Sequence, residues 1–131
     1  MKLFIDDYRP APPGWTLAKT PSEAIARIYQ AAYDPQPLIV SLDYSLEVSD
    51  GDFDTFLPVA QLLCAVRPPA RKRPVIYIHS DHPEGAQEML RLLREAGQQV
   101  HLIDNIKMYA FYCGHQPEAY AILPAPLKGA P

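Results

Sequence analysis

The sequence predicts a doubly wound α/β fold built on a mostly parallel five-stranded sheet, for which the order 2-1-3-4-5 is assumed, and three observations carry the fold class. Leu3-Phe4-Ile5, Leu38-Ile39-Val40-Ser41-Leu42 and Val75-Ile76-Tyr77-Ile78 are short, nearly unbroken apolar runs. Strands covered on both sides read this way, because neither face must stay polar. Between these runs lie stretches of helical period opened by capping residues, and such alternation favours helices wound about a sheet. Each run also ends in groups fit for chemistry: Asp6-Asp7, Asp43 and His79-Ser80.

The elements follow in order. Met1 to Ile5 makes the first strand, and Asp6-Asp7-Tyr8-Arg9-Pro10 opens a proline-rich loop through Pro13-Gly14 that cannot be helical. Trp15 to Lys19 alternates weakly and predicts a short second strand. Thr20-Pro21-Ser22-Glu23 is a helix start, with Thr at the cap, Pro at the first position and Glu three residues after the cap. Ala24, Ile25, Ile28, Ala31 and Ala32 give that helix one apolar stripe, and Pro35 and Pro37 end it. After Asp43 an acidic loop with a turn at Asp50-Gly51 leads to Asp54, expected to cap a helix with Phe56, Val59, Ala60, Leu62 and Leu63 inward. Arg67 to Arg73 is a basic connection. The fourth strand spans about Pro74 to Ile78, and Asp81-His82-Pro83-Glu84 opens a helix that Gly97 stops. Val100 to Ile103 makes the last strand, and Asn105 to Tyr112 a final helix whose Tyr109, Phe111 and Tyr112 either pack on the sheet, the favoured reading, or form a dimer face. One domain over 1–123 and a flexible Pro-rich tail over 124–131 are expected.

Composition sets bounds on function. At 131 residues and 48% hydrophobic the chain can bury a core, while a net charge of −3 argues against wrapping nucleic acid by charge alone. It leaves room for a small phosphate-bearing substrate held by a few groups. Cys64 and Cys113 have no metal-type spacing, and Cys64 reads as a buried free thiol. Acids by position six argue against a signal peptide, and no apolar run is of membrane-spanning length, so a cytoplasmic protein is expected.

In an open sheet of this order the ligand crevice lies at the carboxyl ends of the strands, where the winding reverses. Asp6, Asp7 and Asp43 would converge there, with His79 and Ser80 from the next strand along. Three close carboxylates repel one another, and a hard divalent cation, Mg²⁺ or Mn²⁺, resolves the conflict with oxygen ligands. A loop-start role for Asp6-Asp7 is the alternative. His79 reads equally as a catalytic imidazole and as a satisfied structural one; His82 reads as an exposed helix opener and Arg9 as a phosphate partner or a solvated loop residue.

The pair of acids after strand one, the acid after strand three and the hydroxyl after strand four resemble the receiver domains of two-component signalling. Closer still, Leu3 to Pro10 with Pro13-Gly14-Trp15, Glu23-Ala24-Ile25, Ser41-Leu42-Asp43, Asp50-Gly51 and His79-Ser80 is similar to the cyclic-phosphate processing receiver-like family, over roughly residues 1 to 96. The resemblance implies a metal-dependent phosphoesterase acting on cyclic phosphate ends of nucleotides or RNA. It implies a phosphoesterase role for Asp6, Asp7, Asp43, His79 and Ser80; the mechanism expected from the residues themselves has Asp6, Asp7 and Asp43 hold the cation, His79 and Ser80 act with Asp43 in catalysis, and Arg9 and Ser80 bind the phosphate. Tyr44 and Ser45 stand where that family usually carries His and Asp, and the lysine a signalling receiver needs after its last strand is replaced by Asp104 and Asn105, with Lys107 out of place. The alternative is therefore a catalytically inactive pseudo-receiver that serves a protein partner.

Overall fold

A computed structural model describes residues 1–51, 53–66 and 73–114. The expected domain end at 123, the tail over 124–131 and most of the basic connection (67–72) lie outside the described residues. The elements are β1 (Lys2–Ile5), β2 (Thr16–Ala18), α1 (Pro21–Ala31), β3 (Ile39–Leu42), β4 (Ser45–Asp50), β5 (Phe53–Thr55), α2 (Leu57–Ala65), β6 (Val75–Ile78), α3 (Pro83–Glu95), β7 (Gln99–Leu102) and α4 (Met108–Gly114).

Five strands form one sheet in the order β2-β1-β3-β6-β7, and every pairing in it is parallel. This is the predicted order, because β4 and β5 belong to a separate two-stranded sheet. The region expected as a loop after Asp43 is thus an antiparallel hairpin that turns at Gly51, whose φ of 59° lies in the region glycine tolerates. Asp54 does not cap the following helix. The cap position is Phe56, without a side-chain bond, and the Thr55 hydroxyl accepts from the Leu57 N–H at 3.1 Å instead.

The strands alternate their side chains between two buried layers. Leu3, Ile5, Val40, Leu42, Ile76 and Ile78 meet α1, α2 and α3 on one face. Phe4, Ile39, Val75 and Tyr77 meet Trp15 with Met108 and Tyr112 of α4 on the other. No helix joins β1 to β2; the proline-rich loop runs there and contributes Ala11 and Trp15 to the second layer. Tyr109 and Phe111 pack at the edge of that layer, as expected for residues laid on the sheet.

The capping signals behave as predicted at two helices. The Thr20 hydroxyl accepts from the Glu23 N–H at 3.1 Å, and His82 accepts through Nδ1 from the Gly85 N–H at 2.9 Å. His82 is exposed, a helix opener. Cys64, half-buried, and Cys113, exposed, form no disulfide, and the Cys64 thiol donates to Leu92 O at 3.6 Å. Among the described residues no helix is long and apolar enough to cross a membrane.

Candidate active site

Parallel pairing continues one residue beyond each strand and brings the site together. The Asp6 N–H donates to Ala18 O at 3.1 Å, the Asp43 N–H to Ile5 O at 3.0 Å, and the His79 N–H to Leu42 O at 2.9 Å. Residues 6, 43 and 79 therefore sit side by side along the carboxyl edge of β1, β3 and β6, although up to 73 positions separate them in the chain. Carboxylate oxygens of Asp6, Asp7 and Asp43 lie within 4.8 Å of one another. Asp7 is fixed by the hairpin, since its Oδ2 accepts from the Glu47 N–H at 2.6 Å.

Asp6 is fully buried. Its Oδ1 accepts from the N–H groups of Tyr8 and Arg9, each at 2.8 Å, and its Oδ2 from Arg9 Nη1 and His79 Nε2, each at 3.0 Å. Burial alone would raise its pKa, but the bonds from His79 and the two backbone N–H groups outweigh burial and hold it at about 2. Asp6 is thus firmly ionised. Asp43 goes the other way: burial and the neighbouring Asp6 charge push it up to about 7, against the pull of the Tyr44 N–H (2.7 Å), Arg9 and the Ser80 hydroxyl. A carboxyl that is reluctant to ionise beside one that must be ionised is the electrostatic signature of a place short of positive charge.

Arg9 supplies part of that charge. Its guanidinium spans the rim, 3.0 Å from Asp6, 3.6 Å from Asp43 and paired with Asp81 on the far side. The Ser80 hydroxyl accepts from the His82 N–H at 3.1 Å and lies close enough to Asp43 to draw its pKa down.

His79 forms the floor. No part of it reaches solvent, and its ring stacks on Phe4 at 4.6 Å with 8° between planes. With Nε2–H donating to the ionised Asp6, Nδ1 accepts from Ser41 Oγ at 2.6 Å, and Ser41 lies 2.6 Å from the Tyr112 hydroxyl. Burial lowers the His79 pKa despite the Asp6 charge, so the neutral imidazole is the resident form. A buried polar chain, Tyr112–Ser41–His79–Asp6, therefore runs from α4 to the site.

All six sequence-predicted site residues, Asp6, Asp7, Arg9, Asp43, His79 and Ser80, meet at this rim. Sequence reasoning missed three others. Asp81, whose position suits a helix cap, instead holds Arg9 and receives Asn105 Nδ2. Ser41 carried a signal, as the one polar residue within an apolar strand; Tyr112 carried none, being 71 positions away. Tyr44, in place of the related family's His, lays its ring on Gly85 and 4.9 Å from His82, so its side chain packs rather than joining the carboxylates. The turn after β7 presents Asp104 and Asn105 to the rim region, while Lys107 is exposed beyond them.

The three carboxylates offer only oxygen donors, which suits a hard cation. A family model described as the cyclic-phosphate processing receiver domain matches residues 1–95 of the chain. Comparison with curated proteins and with solved structures gives no match.

Proposed function

The chain belongs to the cyclic-phosphate processing receiver domain family, and from that premise we propose that it is a metal-dependent phosphoesterase that opens cyclic phosphate ends of nucleotides or RNA. One observation carries the reading: three carboxylates from two strand ends with oxygens within 4.8 Å, an excess of negative charge that Arg9 alone does not balance. Asp6, Asp7 and Asp43 would hold a divalent cation, Mg²⁺ or Mn²⁺ by the hardness of the donors. Bound there, such an ion supplies charge neutralisation at the phosphate and a more acidic water.

The residues divide the remaining work. Arg9 and the Ser80 hydroxyl face the non-bridging oxygens of the phosphate, Arg9 as a planar two-pronged donor. Hydrolysis joins a water oxygen to phosphorus and breaks one ring P–O bond; the ring oxygen leaves as a ribose hydroxyl and a phosphomonoester remains. His79 acts as a positioning residue: sealed from solvent, it keeps Asp6 ionised and aimed, and proton traffic at the substrate falls to groups on the rim. The absence of a lysine at Asp104-Asn105 weighs against phosphorelay through Asp43.

The test is ³¹P NMR of nucleoside 2′,3′-cyclic phosphates incubated with the protein and Mg²⁺ or Mn²⁺. Conversion to the monoester is expected, and Asp43→Asn and Asp7→Asn are expected to abolish it. A second reading, a silent pseudo-receiver serving a protein partner, is favoured by Tyr44, whose ring fills the place of the family's usual His with packing alone. Unchanged cyclic phosphate with calorimetrically normal cation binding would leave that reading standing and remove ours.

A further inference from the structure

Arg9 is held from two sides. Its Nη1 donates to Asp6 Oδ2 at 3.0 Å, and its Nη2 donates to Asp81 Oδ2 across the rim. Nη1 also lies 3.6 Å from Asp43. One guanidinium thus answers three carboxylates, and its planar fork fixes the direction of each prong. Asp6 and Asp43 suit the cation and Arg9 the phosphate, while Asp81 has no such task.

Asp81 is better ordered than its position suggests. Its side chain is 77% exposed, and an exposed ion pair is ordinarily worth little, because ordering two side chains in water offsets the attraction. Here a third group does part of the ordering in advance. Asn105 Nδ2, from the turn after β7, donates to Asp81 Oδ1 and leaves Oδ2 for Arg9. The two oxygens are therefore engaged by segments 24 positions on and 72 positions back. The backbone on either side is tied down as well. The Ser80 hydroxyl accepts from the His82 N–H at 3.1 Å, and His82 Nδ1 accepts from the Gly85 N–H at 2.9 Å.

By charge alone, a carboxylate beside a phosphate site repels the ligand. What Arg9 must do gives it a use. When a phosphate draws Nη1 from Asp6, an unanchored arginine would regain its rotamer freedom or fold back onto Asp43. Held at Nη2, it turns over the site and keeps its other prong aimed, so less freedom is lost on binding.

We infer that Asp81, itself set by Asn105, is a positioning residue that keeps Arg9 over the carboxylates to receive a phosphate. The phosphate as ligand rests on the phosphoesterase reading; the anchoring of Arg9 does not.

The experiment measures inorganic phosphate binding to the full chain by calorimetry at saturating Mg²⁺, in the natural protein, Asp81→Asn and Asn105→Ala. Charge and position predict opposite signs. Removing an acid near a bound anion tightens binding on charge alone, whereas losing the anchor weakens it. Asp81→Asn is expected to bind phosphate about tenfold more weakly, the scale of one hydrogen bond to a charged group. Asn105→Ala changes no charge and should weaken phosphate about threefold, within the worth of one ordinary hydrogen bond. ¹⁵N NMR of the Arg9 guanidinium, without phosphate, supplies a readout that general destabilisation would not move. Rotation about Cζ–Nη2 should quicken in Asp81→Asn while Nη1 stays restrained by Asp6. Phosphate bound equally or more tightly by either variant, or an unchanged Arg9 signal, would overturn the inference. A natural protein that binds no phosphate would overturn it together with the phosphoesterase reading. Weaker phosphate binding in both variants, with no ring opening of any cyclic phosphate by the natural protein, would support the anchor and remove the enzyme.

Discussion

Asp43→Asn should make the cation-free protein more stable, and by an amount that grows with pH. Asp43 titrates at about 7 in the folded chain against 3.8 for a free side chain. A carboxyl whose folded pKa is raised favours the folded state at low pH, where both forms are protonated. That advantage is lost as pH climbs from about 4 to about 7, because the unfolded chain ionises first. About three pH units at about 1.4 kcal/mol each give a ceiling of about 4 kcal/mol above neutrality. The neutral amide introduced by Asp43→Asn escapes this cost and keeps an acceptor for the Tyr44 N–H. It forgoes the Arg9 attraction, so a gain of about 2–3 kcal/mol at pH 8 is the expectation. Urea unfolding of both proteins in EDTA at pH 5, 6, 7 and 8 measures it: the difference should widen by about 1 kcal/mol per unit and flatten above pH 7. Mg²⁺ at a hundred times its Kd should then stabilise the natural protein by about 2.7 kcal/mol and leave Asp43→Asn unmoved. A variant less stable at every pH, a gain that ignores pH, or a retained Mg²⁺ effect would refute the assignment of electrostatic strain and ligation to Asp43.

Gly85→Ala should destabilise by about 1–3 kcal/mol although alanine is the better helix former, because its Cβ would collide with the Tyr44 ring; adding Tyr44→Ala should recover the loss, as a double-mutant cycle in urea would show. His79→Ala removes a donor from a buried carboxylate and should cost about 3 kcal/mol or more, with the Asp6 carboxyl, followed by ¹³C NMR, titrating above its present value of about 2. Asp6 is the opposite case to Asp43: its stabilisation is present above pH 3.8 and is lost as pH falls toward 2, so the His79→Ala variant should lose less stability than the natural protein in that acid window. Tyr112→Phe deletes the hydroxyl on Ser41 and should cost about 1 kcal/mol in denaturant unfolding, with amide exchange quickening in α4 first. Arg9→Ala should bind Mg²⁺ about tenfold tighter in the absence of phosphate, as removal of a nearby cation requires, yet should lose inorganic phosphate binding in the presence of Mg²⁺; calorimetry reads both, and weaker Mg²⁺ binding would contradict the role given to Arg9.

The sheet was legible because its central strands are buried on both sides and so show as unbroken apolar runs, with Val40 and Ile76 fully buried among them. Alternation with helices gave the doubly wound class; the order 2-1-3-4-5 was assumed, as the receiver resemblance implies, and the convergence of Asp6, Asp43 and His79 followed once that order was taken. The hairpin was present in the sequence too, since Leu46 and Val48 alternate with Ser45, Glu47 and Ser49 ahead of Asp50-Gly51, a period-two signal masked by the surrounding acids. What no local pattern carries is which polar groups pair across the fold. Arg9 with Asp81 and Ser41 with Tyr112 are contacts between segments 72 and 71 positions apart, and each depends on how loops cross the sheet edge.

The loop after β1 shows why the site and the fold are one problem. Pro10, Pro12 and Pro13 bar a helix between the first two strands, so one face is covered by that loop and by α4, and the apolar burial a helix would bring is forgone. In exchange the chain turns at once after Asp6, and only a turn that tight delivers the Tyr8 and Arg9 N–H groups to one carboxylate oxygen while returning the Arg9 side chain to the other. A carboxylate has about four acceptor positions, and with His79 the four donors fill those of Asp6. Asp6 therefore reaches a cation directly only when Arg9 leaves Oδ2, and the natural destination for Arg9 is an arriving phosphate. Cation and substrate would then bind with mutual help through a single side chain, an arrangement a helix in place of the loop would not provide.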